Sequence, residues 1–261
     1  MYHRWLTDGR SFNLGRMSLR DLWVAYLTHP AVHLYVALTV ICCALAVHLH
    51  PSWLQTAIAV GVTLLAYPLA WYLIHRYILH ARFLYRSRLT AALWKRIHFD
   101  HHQDPNRMDV LFGAPVTTLP TIIGILAPIG WLIGGAGAAA VAVATGLATT
   151  CVYEFCHCVQ HLNFKPRSRL LRRMKELHLA HHFHDEGSNY GITSFAFDQI
   201  LGTYRASPKG TPRSAHVFDL GYDLAESVRY PWVARLTGAP PRSGPPSRAR
   251  ASTPAQATRS T

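Results

Sequence analysis

The chain has 261 residues, of which half are hydrophobic and only 15% are charged, a low charge content for a soluble domain. No Asp, Glu, Lys or Arg occurs from Leu22 to Ile74 or from Val110 to Tyr153, and these two stretches exclude an ordinary soluble fold. Each is long enough for two membrane spans of about 20 residues. The net charge of +13 reflects Lys and Arg where these stretches end, and no nucleic-acid-binding motif accompanies it.

Residues 1–30 are predicted to form an N-terminal interfacial segment. Within it, residues 18–28 have the pattern of an amphipathic helix, with Ser18 as its cap and Asp21 in its first turn. Residues 1–20 are basic and polar, and no short apolar core with a cleavage site follows them. We therefore expect no cleavable signal, and the first span should remain in the protein.

Four spans are predicted from the two uncharged stretches: Ala31–Leu49, Trp53–Ile74, Phe112–Ile133 and Ala138–Tyr153. The turns between paired spans, at residues 50–51 and 134–137, carry no Lys or Arg. The N-terminus and residues 76–107 and 165–175 carry many. The positive-inside rule therefore places these basic segments on the cytoplasmic side, so that the spans form two hairpins.

The remaining sequence divides by composition. Residues 31–206 are predicted to form the membrane domain and residues 207–238 a cytoplasmic cap segment. Residues 239–261 are rich in Pro, Ser and Arg, which predicts a disordered tail. The five cysteines lack CxxC spacing, so they indicate neither a disulfide framework nor a zinc ribbon.

Ten of the 17 histidines fall into four clusters: His75 and His80; His98, His101 and His102; His157 and His161; His178, His181 and His182. At this histidine content, about 0.07 HxxHH sequences are expected by chance, and the chain has two. Each HxxHH follows a spaced pair by a similar interval, and each pair follows a predicted span. The clusters therefore form an internal repeat of hairpin, histidine pair, basic linker and HxxHH helix.

Most of these spacings place imidazoles on one helical face. Positions i, i+3 and i+4 share a face, as in HxxHH and in His157 with His161. His75 and His80 are five residues apart, about 140° around a regular helix, so this pair needs a helix end or a distortion to converge. Considered alone, the pair His75 and His80 is typical of residues at a membrane–water interface. For the HxxHH boxes, the alternative to a metal site is a solvated helical face whose histidines can be protonated.

Ten imidazoles exceed the capacity of one metal ion, so two ions are expected. Neutral imidazole suits iron, zinc, copper and nickel. Zinc would serve hydrolysis or structure, whereas iron serves oxygen activation. The predicted fold is thus an all-α integral membrane protein, with four transmembrane helices in two hairpins and a cytoplasmic helical cap carrying a histidine-rich dimetal site.

Over residues 60–206 the sequence resembles the fatty acid hydroxylase / sterol desaturase superfamily, most of all the fatty acid 2-hydroxylases. The boxes HxxxxH, HxxHH, HxxxH and HxxHH occur in that order, followed by residues 189–194, Asp198 and residues 202–203. The resemblance implies that the ten clustered histidines bind two non-haem metals, and that Tyr153 lies near a substrate channel. Asn189 and Asp198 are expected to support the ligands or fix a loop. His184 is a further candidate for such support.

The resemblance implies oxygen-dependent hydroxylation of a membrane lipid at a di-iron centre, with zinc as an alternative occupant after purification. The ligands follow the ends of the spans, which favours oxidation of a fatty acyl chain near its polar end. No cytochrome b5 domain precedes the boxes, so a separate donor of cytochrome b5 or ferredoxin type is expected. Composition favours a bacterial inner membrane over the endoplasmic reticulum. No catalytic residue beyond the ligands is assigned.

Two alternatives stay open on the sequence alone. One is a desaturase, or a carotenoid or sterol hydroxylase, with the same metal chemistry. The other is a membrane metal transporter, although transporters place their ligands near the bilayer midplane in broken helices. The lipid, the oxidised carbon, the donor, the division of ligands between the metals and the oligomeric state are also left open.

Overall fold

The computed structural model describes residues 12–108 and 112–245. Most of the predicted tail and the first part of the N-terminal segment therefore lie outside the described residues. Within the described ranges the chain is helical, and its strand-like pairing is limited to one bridge between Asn13 and Arg107.

Helix α1 spans Leu19–Leu27 and confirms the predicted amphipathic helix. Ser18 and Asp21 form a capping box, with the Asp21 N–H donating to Ser18 Oγ over 3.2 Å and the Ser18 N–H to Asp21 Oδ2 over 2.9 Å. The inner face buries Leu22 and Tyr26, and the Tyr26 hydroxyl donates to the Cys151 carbonyl over 2.6 Å. The N-terminal segment is thereby fixed to the longest helix of the protein.

Helices α2 and α3 span Pro30–Leu49 and Trp53–Ile74, within one residue of the predicted spans. His50 takes a left-handed conformation with φ of 49°, which ends α2. Ser52 then starts α3 with a second capping box. With its continuation to Leu79, α3 is one of three helices among the described residues that are long and apolar enough to cross a membrane.

Short helices follow α3 and build a layer beyond its end: α4 at Phe83–Arg86, α5 at Ala91–Trp94 and α6 at Asp100–Gln103. Two π-helical turns, His75–Leu79 and Lys95–Phe99, precede α4 and α6. Helices α10 at Leu224–Arg229 and α11 at Trp232–Thr237 join this layer. They bury Tyr222 and Val233 in a core shared with α4 and α5.

Helix α7 spans Pro115–His161, and its 47 residues include both later predicted spans except for the first three residues, 112–114. The backbone leaves helical geometry at Gly134 and Gly135, inside the predicted turn. Gly146 packs closely against Leu126, although twenty residues of unbroken helix would separate them by about 30 Å. The two parts of α7 are therefore not collinear, and they pack with α2 and α3 around an apolar core.

The second part of α7 continues beyond the predicted end at Tyr153 as far as His161, so the HxxxH box belongs to the same helix. Helix α8 follows at Arg169–Phe183, capped by Ser168, and carries the second HxxHH box. A loop then leads to α9 at Ala196–Ile200. All four histidine boxes consequently meet at the C-terminal ends of α3 and α7.

Candidate metal centre

The π-helical turn at His75–Leu79 resolves the awkward spacing of the first histidine pair. The His80 N–H donates to the His75 carbonyl over 3.1 Å, an i to i+5 hydrogen bond that sets residues five apart on one face. Their Nε2 atoms then lie 3.2 Å apart. The local distortion that the spacing requires is therefore present at this box.

The first group of converging imidazoles has five members: His75, His80, His98, His102 and His181. One ring nitrogen from each lies within 4.8 Å of all the others, and four of the five side chains are buried. His98 Nε2 and His80 Nε2 are 2.8 Å apart. Such a set of neutral nitrogen donors could hold a transition-metal ion.

The second group has the same size and the same compactness: His101, His157, His161, His178 and His182, all buried. His157 and His161 share one face of α7, and their Nε2 atoms lie 3.1 Å and 2.8 Å from His178 Nε2. The two groups adjoin, since the rings of His102 and His182 have centroids 4.2 Å apart.

The two imidazole groups do not correspond to the two sequence repeats. Each group takes four imidazoles from one repeat and one from the other. His101, in the middle of the first HxxHH, joins the second group, and His181, in the middle of the second HxxHH, joins the first. Each repeat therefore contributes to both groups.

Several buried ring nitrogens in both groups have no hydrogen-bond partner among the described residues; they belong to His101, His102, His161, His178, His181 and His182. Burying a polar nitrogen without a partner is unfavourable unless another interaction compensates. Donor atoms that converge on two points supply that compensation when they ligate cations. The residues present therefore fit a two-metal centre.

Burial also fixes the protonation state of the histidines beyond the apolar helices. Loss of hydration, together with neighbouring imidazoles, lowers the pKa of His98, His101, His178 and His181 well below the ordinary value. Burial lowers the pKa of His102 to about 3. These rings are consequently neutral near pH 7, which is the form that binds metal.

Backbone carbonyls orient three rings of the first group. Nδ1–H of His75 donates to the Tyr190 carbonyl over 2.6 Å, and that of His181 to the Ser188 carbonyl over 2.7 Å. His102 Nδ1–H donates to the carbonyl of Val217 over 2.8 Å. Because a carbonyl only accepts, these bonds place the proton on Nδ1 and leave Nε2 free to ligate.

Asp198 organises the loop that supplies two of these carbonyls. Its buried carboxylate accepts from the Tyr190 and Gly191 N–H groups over 2.8 Å and 2.9 Å, and from Thr203 Oγ1 over 2.8 Å. Thr203 Oγ1 in turn lies 2.9 Å from the hydroxyl of Tyr72 in α3. The carboxylate therefore connects α3, the loop and the His75 ring.

Asn189 holds the same loop from its other side. It is fully buried and has a φ of 54°, a conformation that asparagine adopts more readily than most residues. Its side chain accepts from the Arg205 N–H over 2.9 Å and donates to the Arg205 carbonyl over 3.1 Å. His184 lies outside both groups, and its Nε2 is 2.9 Å from Thr211 Oγ1.

A cavity of about 70 Å³ lies against both imidazole groups. Tyr153 and Trp71 form part of its wall, stacked with ring centroids 5.6 Å apart, and the Tyr153 ring is 6.0 Å from that of His157. A second, smaller and mostly apolar depression between α3 and the first part of α7 shares Trp71 with this wall.

Glu154 also lines the cavity, and the sequence analysis did not single it out. It is 5% exposed, and its Oε1 accepts from the Gly113 N–H over 3.1 Å. Oε2 is buried without a hydrogen-bond partner among the described residues. One signal was present, because Glu154 is the first charged residue after the uncharged stretch that ends at Tyr153.

Comparison with known proteins agrees with this architecture. The sequence model of the family described as fatty acid hydroxylase matches residues 60–203, more than half of the chain. This chain belongs to the fatty acid hydroxylase family. The matched region contains all ten clustered histidines together with Tyr153, Asn189 and Asp198.

Curated relatives in the family include fatty acid 2-hydroxylases. The chain is 28% identical over 142 residues to the ceramide very long chain fatty acid hydroxylase of Saccharomyces cerevisiae, covering 51% of this chain and 34% of that protein. It is 27% identical over 158 residues to a dihydroceramide fatty acyl 2-hydroxylase of Arabidopsis thaliana, and this match covers 57% of this chain and 61% of that protein. The matches thus span less than two thirds of either relative's length.

A solved structure of full-length scs7p, in which only the hydroxylase domain is visible, shares the fold. Its TM-score is 0.55 at 23% sequence identity, and the match covers 77% of this chain and 71% of that one.

Proposed function

We propose that this protein uses O₂ to hydroxylate a C–H bond of a membrane lipid, with a fatty acyl chain as the substrate. The observation that carries the proposal is the pair of five-histidine groups, which lie beside one cavity at the ends of long apolar helices. The hydroxylases among its relatives agree with this chemistry.

The ten clustered histidines are the proposed ligands of two iron ions, five to each group; zinc is an alternative occupant after purification. Bound iron would supply the activation of O₂ and the oxidation of the C–H bond. The protein's own contribution is to hold neutral imidazoles in fixed orientations and to support them through the Asp198 loop. Tyr153 and Trp71 contribute aromatic rings to the cavity wall, where they would limit the access of water once a lipid is bound.

The position of the groups favours oxidation near the polar end of the lipid. Both groups lie at the C-terminal ends of α3 and α7, and we propose that this is the level where the bilayer changes from acyl chains to headgroups. A lipid held by its headgroup at that level presents its first carbons to the cavity. A shallow apolar depression behind Trp71 lies between α3 and the first part of α7, and we propose that the remainder of the acyl chain passes over it.

We further propose four spans in two hairpins, with the metal centre on the cytoplasmic side of a bacterial inner membrane. The break at Gly134 and Gly135 and the packing of Gly146 on Leu126 support a reversal within α7. A methyl group added at Gly137 would lie 3.0 Å from the Pro51 side chain. This supports the placement of the turn within α7 and the turn between α2 and α3 on the same side of the membrane. The basic segments support the cytoplasmic assignment.

The reaction consumes O₂, two electrons and two protons, and it forms one C–OH group and one water molecule. The electrons come from outside the substrate, and we propose a separate donor of cytochrome b5 or ferredoxin type.

Lipid mass spectrometry on the source organism tests the function. The gene is deleted and then restored as wild type, as His181→Ala or as His48→Ala, a control at the opposite end of α2. We expect one lipid class to gain a single oxygen with wild type and His48→Ala, but not with His181→Ala. Loss of two hydrogens instead would identify a desaturase, and altered cellular iron or zinc without any lipid change would identify a transporter.

A further inference from the structure

An exposed apolar surface lies on the helical layer beyond α3. Leu89 is 92% exposed and Val228 is 82% exposed, and three more large apolar side chains are exposed nearby along the chain. We define the cap patch as these five apolar side chains and the arginines between them: Phe83, Leu89, Leu224, Val228 and Leu236, with Arg82, Arg86, Arg88, Arg229 and Arg235. Exposed apolar side chains grouped in this way mark an interaction surface.

Contacts show that the two segments that carry the cap patch pack against each other. Arg86 Nη2 in α4 lies 3.3 Å from Glu226 Oε2 in α10. The Arg88 guanidinium lies over the Trp232 ring of α11, 5.7 Å from its centroid. Beneath these contacts, Tyr85 and Tyr222 are fully buried in the shared core. The apolar side chains are therefore presented by a packed scaffold.

The charge of the cap patch is positive. The patch has five exposed arginines, and its two segments contain only two carboxylates, Asp223 and Glu226. Glu226 is paired with Arg86. Arg88 and Arg235 both lie over Trp232, and Arg229 lies over Tyr230. Tryptophan and tyrosine beside arginine and exposed aliphatic groups are typical of side chains at a membrane–water interface.

Chain continuity places the cap patch close to a bilayer. Phe83 follows Leu79, the last residue of the membrane-length helix that begins at Trp53, by only four residues. Four residues reach at most about 14 Å, which is within the headgroup layer next to the hydrocarbon core.

We propose that the cap patch rests on the membrane surface, with its aliphatic side chains among the acyl chains and its arginines on anionic lipid headgroups. This contact holds α4, α10 and α11 against the bilayer, so that the metal centre faces the lipid. The exposed aliphatic and interfacial aromatic groups favour a lipid surface over a soluble acidic protein, which the arginines alone would also suit.

The test uses the full chain in nanodiscs of phosphatidylcholine, with or without phosphatidylglycerol as about one third of the lipid. A fluorescent amino acid whose emission shifts to the blue in apolar surroundings replaces Val228 or, as a control, Lys209 in an exposed turn. We expect a blue-shifted emission at position 228 relative to position 209, and a larger shift with phosphatidylglycerol. The combined variant Arg88→Gln, Arg229→Gln and Arg235→Gln should lose only the phosphatidylglycerol-dependent part.

The combined variant and the protein without the arginine substitutions, both labelled at position 228, are also compared in phosphatidylcholine alone. Equal emission there shows that the variant retains its fold. Equal emission at positions 228 and 209 would overturn the proposal, as would a shift at 228 that ignores phosphatidylglycerol. A shift that requires an added acidic soluble protein would identify a protein-docking surface instead. The readout involves neither metal nor turnover, so its result is independent of the proposed hydroxylation.

Discussion

Asp198 acts on the proposed ligands through the backbone. Its carboxylate accepts from the N–H of Tyr190, and the carbonyl of Tyr190 accepts from Nδ1 of His75. Groups that orient ligating histidines are worth roughly 10- to 100-fold in metal affinity. We therefore expect Asp198, which is not itself a proposed ligand, to affect how strongly the first group would hold an ion.

Replacing Asp198 with Asn should lower iron retention by about tenfold or more, because one of the three donors around the carboxylate would face an NH₂ group. Iron content after dialysis against a weak chelator measures the effect. Asp21→Asn is the matched control, since Asp21 is exposed in the capping box of α1. Equal retention in the two variants would contradict the positioning role of Asp198.

His101 and His181 each belong to the group whose other four histidines come from the opposite repeat. Because each group contains one imidazole from the other repeat, either His101→Ala or His181→Ala should empty one group and leave about one iron per chain. Only the double variant should lose both ions. Elemental analysis of purified protein measures the ratio, and two irons retained by both single variants would refute the assignment of ligands to groups.

The position of Glu154 in the cavity could not be predicted from the sequence. The histidines were predictable because their number and spacing exceed chance, whereas one glutamate at the end of an apolar stretch has many ordinary explanations. Its location in the cavity depends on the approach of Gly113, whose N–H donates to its carboxylate. The partner of His102, the carbonyl of Val217, lies 115 residues away and carries no sequence signal at all.

Among the elements, the hydrophobic pattern predicted α1, α2 and α3 closely, and Ser18 was the predicted cap of α1, because these boundaries depend on local residues. Ser18 and Ser52 each form a capping box, and each first turn begins where the apolar pattern does. The π-helical turns were not predicted, although the spacing of His75 and His80 required some distortion. A π-helical turn is a local adjustment that packing and ligand convergence select, and propensity does not encode it.

The close contact within α7 gives an element-scale prediction. A side chain at Gly146 would overlap Leu126, whereas Gly124 has open space around it. Gly146→Leu should therefore destabilise the protein by about 1–3 kcal/mol through overpacking, and Gly124→Leu should be nearly neutral. Thermal unfolding of both variants in detergent measures the difference. Equal melting temperatures would mean that the two parts of α7 do not pack as described.

At the scale of the whole molecule, the sequence predicted a helical membrane protein with converging histidine boxes, and the family match agrees. It did not predict how the ligands divide, because each HxxHH presents imidazoles to both groups only once α6 and α8 are packed together. From the sequence, the division of the histidines between two metals stayed open. Tertiary packing combines four histidines of one repeat with one of the other in each group.

The proposed topology predicts opposite locations for two reporters. Alkaline phosphatase inserted after Gly135 should be active, because that turn would face the periplasm, and a fluorescent protein at the C-terminus should fluoresce in the cytoplasm. An inactive phosphatase at Gly135 beside a fluorescent C-terminus would show that α7 does not form a hairpin across the membrane.

The central claim is that oxygen from O₂ enters a lipid at this metal centre. The most direct measurement supplies isotopically labelled O₂ to the iron-loaded protein in nanodiscs with a reduced electron donor, followed by mass spectrometry of the lipids. We expect one labelled oxygen atom on an acyl carbon near the polar end, and none with His181→Ala. An acyl chain that loses two hydrogens and carries no label, or an oxygen that comes from water, would contradict it.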